Sequence, residues 1–288
     1  ETALNKNRIL YLFLCFPFFA SGQFSEVGIG LGGAVYYGDM SLDKAVDNFK
    51  MVRPNIGIFA NQHLNERIAV QLGIQNFTLT GDDALNSRQG PRERNLNFRS
   101  NIWEIALRGE FYLIPFDPDK SKLPFSLYMS AGVAVFFHNP KAYYAGSYYA
   151  LRPLSTEGQG LPSFPDRKPY SLTQIAFPVI GGLKYMVSKG VNVFIEFGPR
   201  FTLTDYIDDL SNSYAVENEL RYYKGDIAVA LSDRRLVNGS EPKRYPDNQQ
   251  RGNPKSNDMY FTGLLGVSFN MNDFFGLELI NKVKCPTF

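Results

Sequence analysis

Histidine and cysteine are scarce: two of each in 288 residues. Covalent catalysis needs a nucleophile held beside a base, and a metal centre needs clustered ligands. No His/Cys group here has metal-ligand spacing, so no metal and no cofactor is expected. His63 reads as part of a short turn and His138 as the end of a strand, which would set them at opposite ends of an up-and-down fold. Long apolar runs are missing too. No internal stretch approaches the roughly 18 apolar residues that read as a spanning helix. Charge of one sign is also lacking, since 30 basic and 28 acidic residues leave +2, and no nucleic-acid partner is expected. Mean hydropathy is −0.22, which taken alone suggests a soluble protein. Strands that alternate apolar and polar residues average to the same value while crossing a membrane.

The first residues differ from the rest. Lys6 and Arg8 precede an apolar run over 9–20, and small residues follow at Ala20 and Gly22. That order predicts a secretory signal peptide over 1–22 with cleavage before Gln23. The run is short and holds Pro17, which disfavours a membrane anchor. Leu14 before Cys15 disfavours a lipoprotein. Cleavage would remove Cys15 and leave Cys285 without an internal partner.

Alternation is the dominant pattern. In 102–113, Trp103, Ile105, Leu107, Gly109, Phe111 and Leu113 take one face, with Glu104, Ala106, Arg108, Glu110 and Tyr112 on the other. A period of two is a strand. Similar segments occupy 26–38, 53–62, 67–80, 125–138, 174–187, 191–204 and 258–271. In the first, glycines alternate within the strand itself, so they do not make a dinucleotide loop, which needs a strand before and a helix after. Pro178 and Pro199 should break pairing or create a bulge, because proline cannot donate to a ladder. The connections run long, short, long, short, long, short, long. An even strand number with short turns at one end predicts an all-β, eight-stranded antiparallel transmembrane β-barrel over 23–271, with short periplasmic turns, long extracellular loops and an integral outer-membrane location. Aromatic content of 15% suits the girdles such a barrel needs. A soluble eight-stranded barrel would reverse the faces. Its Glu104, Arg108, Glu110, Lys184, Glu196 and Arg200 would meet water, whereas in the membrane version they form an ionic network inside a barrel just wide enough for side chains. No solute channel is expected.

Two loop features stand out. Arg88, Arg92, Arg94, Arg99, Arg234, Arg235, Lys243 and Arg244 place basic charge on the long-loop side, either as a solvated face or to grip lipopolysaccharide phosphates. The run Thr204, Asp205, Tyr206, Asp208, Asp209 could hold a cation but matches no calcium loop, and aspartates at a strand exit commonly make turns.

The segments EVGIGLGGAVYYGD, WEIALRGEFYLIPF, ALRPLSTEGQG, TDYIDDLS and KCPTF, in that order, resemble the PorG-like outer-membrane proteins associated with type IX secretion and gliding motility. The resemblance implies a non-enzymatic barrel that ties the periplasmic ring of the secretion machine, a lipoprotein and its partner subunit, to the outer membrane. It implies no catalytic residue. The expected ring contact is a periplasmic tail over 272–288, with Leu277, Leu279, Ile280, Val283 and Cys285, together with the short turns. Alternatives are a surface adhesin using the long loops, and a lipid-acting enzyme using His138 with a loop serine and aspartate.

Overall fold

A computed structural model describes residues 24–44, 46–117, 123–237, 241–242, 246 and 249–271. The expected signal peptide with Cys15, the basic residues Lys243 and Arg244, and the tail with Leu277, Leu279, Ile280, Val283 and Cys285 lie outside them.

Eight long antiparallel strands close on themselves: β1 (Phe24–Tyr37), β2 (Arg53–His63), β3 (Ile68–Asp82), β4 (Asn97–Tyr112), β5 (Phe125–Phe137), β8 (Thr173–Ser188), β9 (Val191–Thr202) and β12 (Met259–Asn270). Each pairs with its sequence neighbour among the eight. β1 pairs with β12, with Leu31 opposite Leu265, and the ring is complete. A closed sheet has no edge to expose unpaired N–H and C=O groups. The connection after β5 contains a hairpin not expected from the sequence, β6 (Lys141–Tyr144) with β7 (Ser147–Ala150), which extends β4 through the pair Arg99 and Lys141. β10 (Leu236–Val237) and β11 (Glu241–Pro242) form a separate short ribbon. The longest connection folds two helices, α2 (Glu217–Lys224) and α3 (Asp226–Ser232), and the connection after β3 holds α1 (Gln89–Arg94).

The faces follow the alternation, and the soluble alternative fails. Trp103, Ile105, Leu107 and Phe111 of β4 point outward, with Leu107 58% exposed, while Glu104, Arg108 and Glu110 between them are buried. Leu31, Ile58, Leu72, Val133, Phe177 and Ile195 carry the same apolar belt around the ring. In water this exterior would far exceed the apolar patch a soluble monomer tolerates.

Proline does what the ladder predicts. Partners between β5 and β8 lapse opposite Pro178, between Ala131–Val179 and Ala134–Ala176. Partners between β8 and β9 lapse opposite Pro199, between Pro178–Arg200 and Gly181–Phe197. Register is the same on both sides of each gap, so neither proline creates a bulge. The irregularity in β8 is instead at Met186 and Ser188, beside the short turn. Gly198 sits within the second gap because the Val179 carbonyl occupies the place of a Cβ.

At the long-loop end, Tyr36, Phe77, Phe98, Phe136 and Tyr260 from the strands pack with Ile207, Leu210 and Leu231 from the longest connection. The loops therefore form a dome that continues the barrel core. A smaller aromatic cluster of Phe24, Tyr112, Phe116 and Tyr128 fills the short-turn end.

Candidate functional site

The chemistry-bearing residues stack along the barrel axis, and strand periodicity explains why. Every second residue of each strand must enter a lumen that holds one side chain per position, so polar groups at inward positions meet across it.

Nearest the short turns, Glu26 of β1 is completely buried. It accepts from Lys184 Nζ at 2.6 Å and Asn192 Nδ2 at 3.0 Å, contacts His63 Nε2 at 3.2 Å and accepts a short bond from the Ser268 hydroxyl. Lys184 also donates to the Tyr112 hydroxyl at 2.9 Å, which donates to Glu110 at 2.7 Å. Asn61 and Gln71 each donate to Glu110 at 2.8 Å. Mid-barrel, Arg108 meets Glu196 at 3.1 Å and Tyr128 donates to the same carboxylate. Above them Arg200 stands 3.6 Å from Glu104, an ion pair without a hydrogen bond, and Tyr260 donates to Glu104 at 2.7 Å. Arg200 Nε and Nη2 have no hydrogen-bond partner among the described residues.

All six expected interior residues, Glu104, Arg108, Glu110, Lys184, Glu196 and Arg200, are thus inside. They do not form one network of their own. Two pairs form among them. Lys184 takes Glu26 instead, and neutral donors hold Glu110. Glu26 and His63 are buried with them, beyond the six expected from the sequence. Glu26 lies at a strand start, where alternation has few residues to declare itself. His63 is a correction to the expected turn: it is the last residue of β2, buried, stacked on Phe24 at 4.0 Å between centroids. The signal was available, because His63 continues the inward series Asn55, Gly57, Phe59, Asn61.

Over the loop end lies an acidic layer. Tyr36 Oη is 2.5 Å from Asp258 Oδ1 and 2.7 Å from Asp208 Oδ2. A phenol has one proton to give, so one of these contacts requires a protonated carboxyl. Burial raises both aspartates well above the usual carboxylate range, with Asp258 and Asp39 adding at Asp208 and with Asp205 and Asp39 adding at Asp258. Asp209, in a left-handed backbone conformation at φ 69°, accepts from Tyr170 at 2.7 Å and from Thr156, and faces Arg251 at 3.6 Å. Burial pushes it up to about 6. Asp205 is buried, with neither oxygen in hydrogen-bonding geometry among the described residues. Burial, with Asp39 and Glu157 adding, pushes it up to about 7, although nearby Ser211 offsets part of the rise. Thr204 Oγ1 accepts from the Tyr206 amide, and the Tyr206 hydroxyl reaches Glu157 at 3.2 Å. The motif therefore turns the chain and pins the dome. No three His, Cys, Asp or Glu side chains are placed to share a metal ion among the described residues.

The basic loop residues divide. Arg94 is not part of a solvated face. It grips Asp83 with both Nε and Nη2, at 2.7 and 2.8 Å, and donates to the Arg251 and Asp39 carbonyls. Burial works against its charge, but Asp83 more than offsets this and raises its pKa. Arg88 pairs with Asp43 at 3.3 Å. Arg92 and Arg99 are exposed, while Arg234 and Arg235 are half-buried. His138 Nε2 lies 3.1 Å from the Ser171 carbonyl, whereas the Ser171 hydroxyl bonds Thr173. Burial lowers His138 to about 4, and no hydroxyl hydrogen-bonds it among the described residues.

Several solved structures are similar to the chain. Neisserial surface protein A is 11% identical, covering 85% of this chain and 96% of its own at TM-score 0.41. Ail of Yersinia pestis, solved with the heparin analogue sucrose octasulfate, is 9% identical, covering 85% and 97% at 0.39. OprG of Pseudomonas aeruginosa is 11% identical, covering 88% and 98% at 0.37. No curated protein matches in sequence. A family profile does match, over residues 5–229, and by it the chain belongs to the family described as a domain of unknown function, DUF6089.

Proposed function

We propose that this protein is an integral outer-membrane barrel without a catalytic step, which anchors the periplasmic ring of a type IX secretion or gliding machine to the outer membrane. One observation carries the membrane half: an apolar ring of side chains faces outward while Glu104, Arg108 and Arg200 are buried within. Hydrocarbon on the outside and ions within is the arrangement a bilayer stabilises. A lumen packed by ion pairs favours a structural role over solute transport. The ring attachment rests on the PorG-like motifs, of which EVGIGLGGAVYYGD and WEIALRGEFYLIPF lie in barrel strands and TDYIDDLS in the dome. The partners are the ring lipoprotein and its companion subunit, contacted from the short-turn side.

Deleting residues 277–288 should abolish co-purification of ring subunits with the detergent-solubilised barrel and leave the barrel heat-modifiable on gels. Ring binding that survives both this deletion and substitution of the short turns rejects the tail and turns as the contact, and failure of the intact barrel to co-purify any ring subunit rejects the anchor role. The second reading, a surface adhesin, is favoured by the order of the loops. Their dome has its own core of Leu161, Ala215, Leu220 and Val229 and presents Tyr222 at 83% exposure.

A further inference from the structure

Just beyond the apolar belt, on the outer wall at the long-loop end, is a notch of about 450 Å³ where β3 and β4 meet the β6–β7 hairpin. Arg53, Thr80, Asp82, Arg99, Tyr143 and Tyr148 line it. The alternation that sends Trp103 outward also sends Arg99 outward, four residues nearer the start of β4 at the long-loop end. Four residues span roughly 14 Å along a strand, or about 10 Å of depth at the usual barrel tilt. Trp103, paired with Phe137, has the position of an interfacial girdle. The Arg99 backbone is then at the outer edge of the headgroups, which add about 5–8 Å beyond the hydrocarbon on each side, and its long side chain can reach back into them.

Arg99 is an exposed cation in this notch. Its guanidinium stands 5.9 Å from the centre of the Tyr148 ring, and it forms no ion pair among the described residues. Arg53 of β2 lines the same notch and bonds only the Lys50 and Val52 carbonyls among the described residues. The one acid in the notch, Asp82, accepts from the Ala84 amide, and the Arg234 charge stands near it. Tyr143 and Tyr148 are each about half exposed and form the amphipathic wall found where lipid meets water. Arg94, Arg88 and Arg251 are already engaged by carboxylates, whereas Arg99 and Arg53 have no ion-pair partner among the described residues.

We propose that this notch binds the phosphate of a lipid headgroup in the leaflet at the long-loop end, with Arg99 as the principal ligand, Arg53 as the second cation, and Tyr143 and Tyr148 flanking the headgroup. The site rests on the membrane reading above.

The test uses the purified barrel in phosphatidylcholine nanodiscs carrying lipid A or its dephosphorylated form, with native mass spectrometry of the lipid retained on release. The wild type should retain the phosphorylated lipid preferentially. Arg99→Glu should reduce that retention about tenfold, because a charge-assisted contact becomes a repulsion, and Arg99→Lys should keep most of it. Heat-modifiability confirms that each variant is folded. Equal retention by Arg99→Glu overturns the site while leaving the membrane reading intact. A barrel that does not enter the discs overturns both. Inorganic phosphate binding in detergent as tightly as the lipid would make the notch a free-anion site, against the proposal.

Discussion

Glu26 and Lys184 show how the lumen is stabilised. Both are at most 2% exposed and 2.6 Å apart. Breaking a buried pair from one side strands a charge, which costs far more than the intact pair contributes. Lys184→Met should therefore destabilise the barrel by about 3–5 kcal/mol, read by urea unfolding through the single tryptophan, Trp103. Adding Glu26→Gln should recover much of the loss, since the carboxylate no longer needs a cation. A double variant as unstable as the single would mean that packing, not charge, governs the site. The inward position of Lys184 was legible from alternation in 174–187. Its partner was not, because 158 residues separate the two and only closure of the ring brings β1 opposite β8.

The loop dome is the element where charge and pH are linked. Asp205, near 7, and Asp209, near 6, have folded pKa values above the ordinary 3.8. The folded dome prefers their protonated forms. Their contribution is thus complete below about 3.8 and is lost as pH rises through about 6 to 7. Amide hydrogen exchange across 205–213, corrected for intrinsic rates, should be slower at about pH 5 than at about pH 8. Asp205→Asn should reduce the difference. Faster exchange at the lower pH would contradict the burial assigned to these carboxyls. The sequence marked TDYIDDLS as notable, and its aspartates do make turns. It did not reveal that Tyr36, Asp208 and Asp258 converge, or that Arg251 closes the dome, because loops lack a repeating period from which facing could be read. The β6–β7 hairpin escaped for the same reason: four-residue strands are too short to show alternation.

For the whole molecule, the inversion of faces decides the environment. Leu107 lies mid-belt, opposite Leu72 and Val133. Leu107→Arg should cost about 2–4 kcal/mol in lipid vesicles, measured by the same unfolding transition, and much less in a soluble protein. No loss in vesicles would remove the bilayer from the account. Planar-bilayer recordings should show no solute conductance, because Arg108, Lys184, Glu196 and Arg200 occupy the lumen.

The sequence alone determined the strand number, the alternation of long and short connections, and which face of each strand is greasy, because period-two patterning and turn residues are local properties. Tertiary structure alone decided which inward charges meet, which loop arginines are engaged and which remain free, and where the dome seals the barrel. Those outcomes depend on strand stagger and on contacts between residues far apart in the chain, and side-chain pairing across a lumen has no local signature.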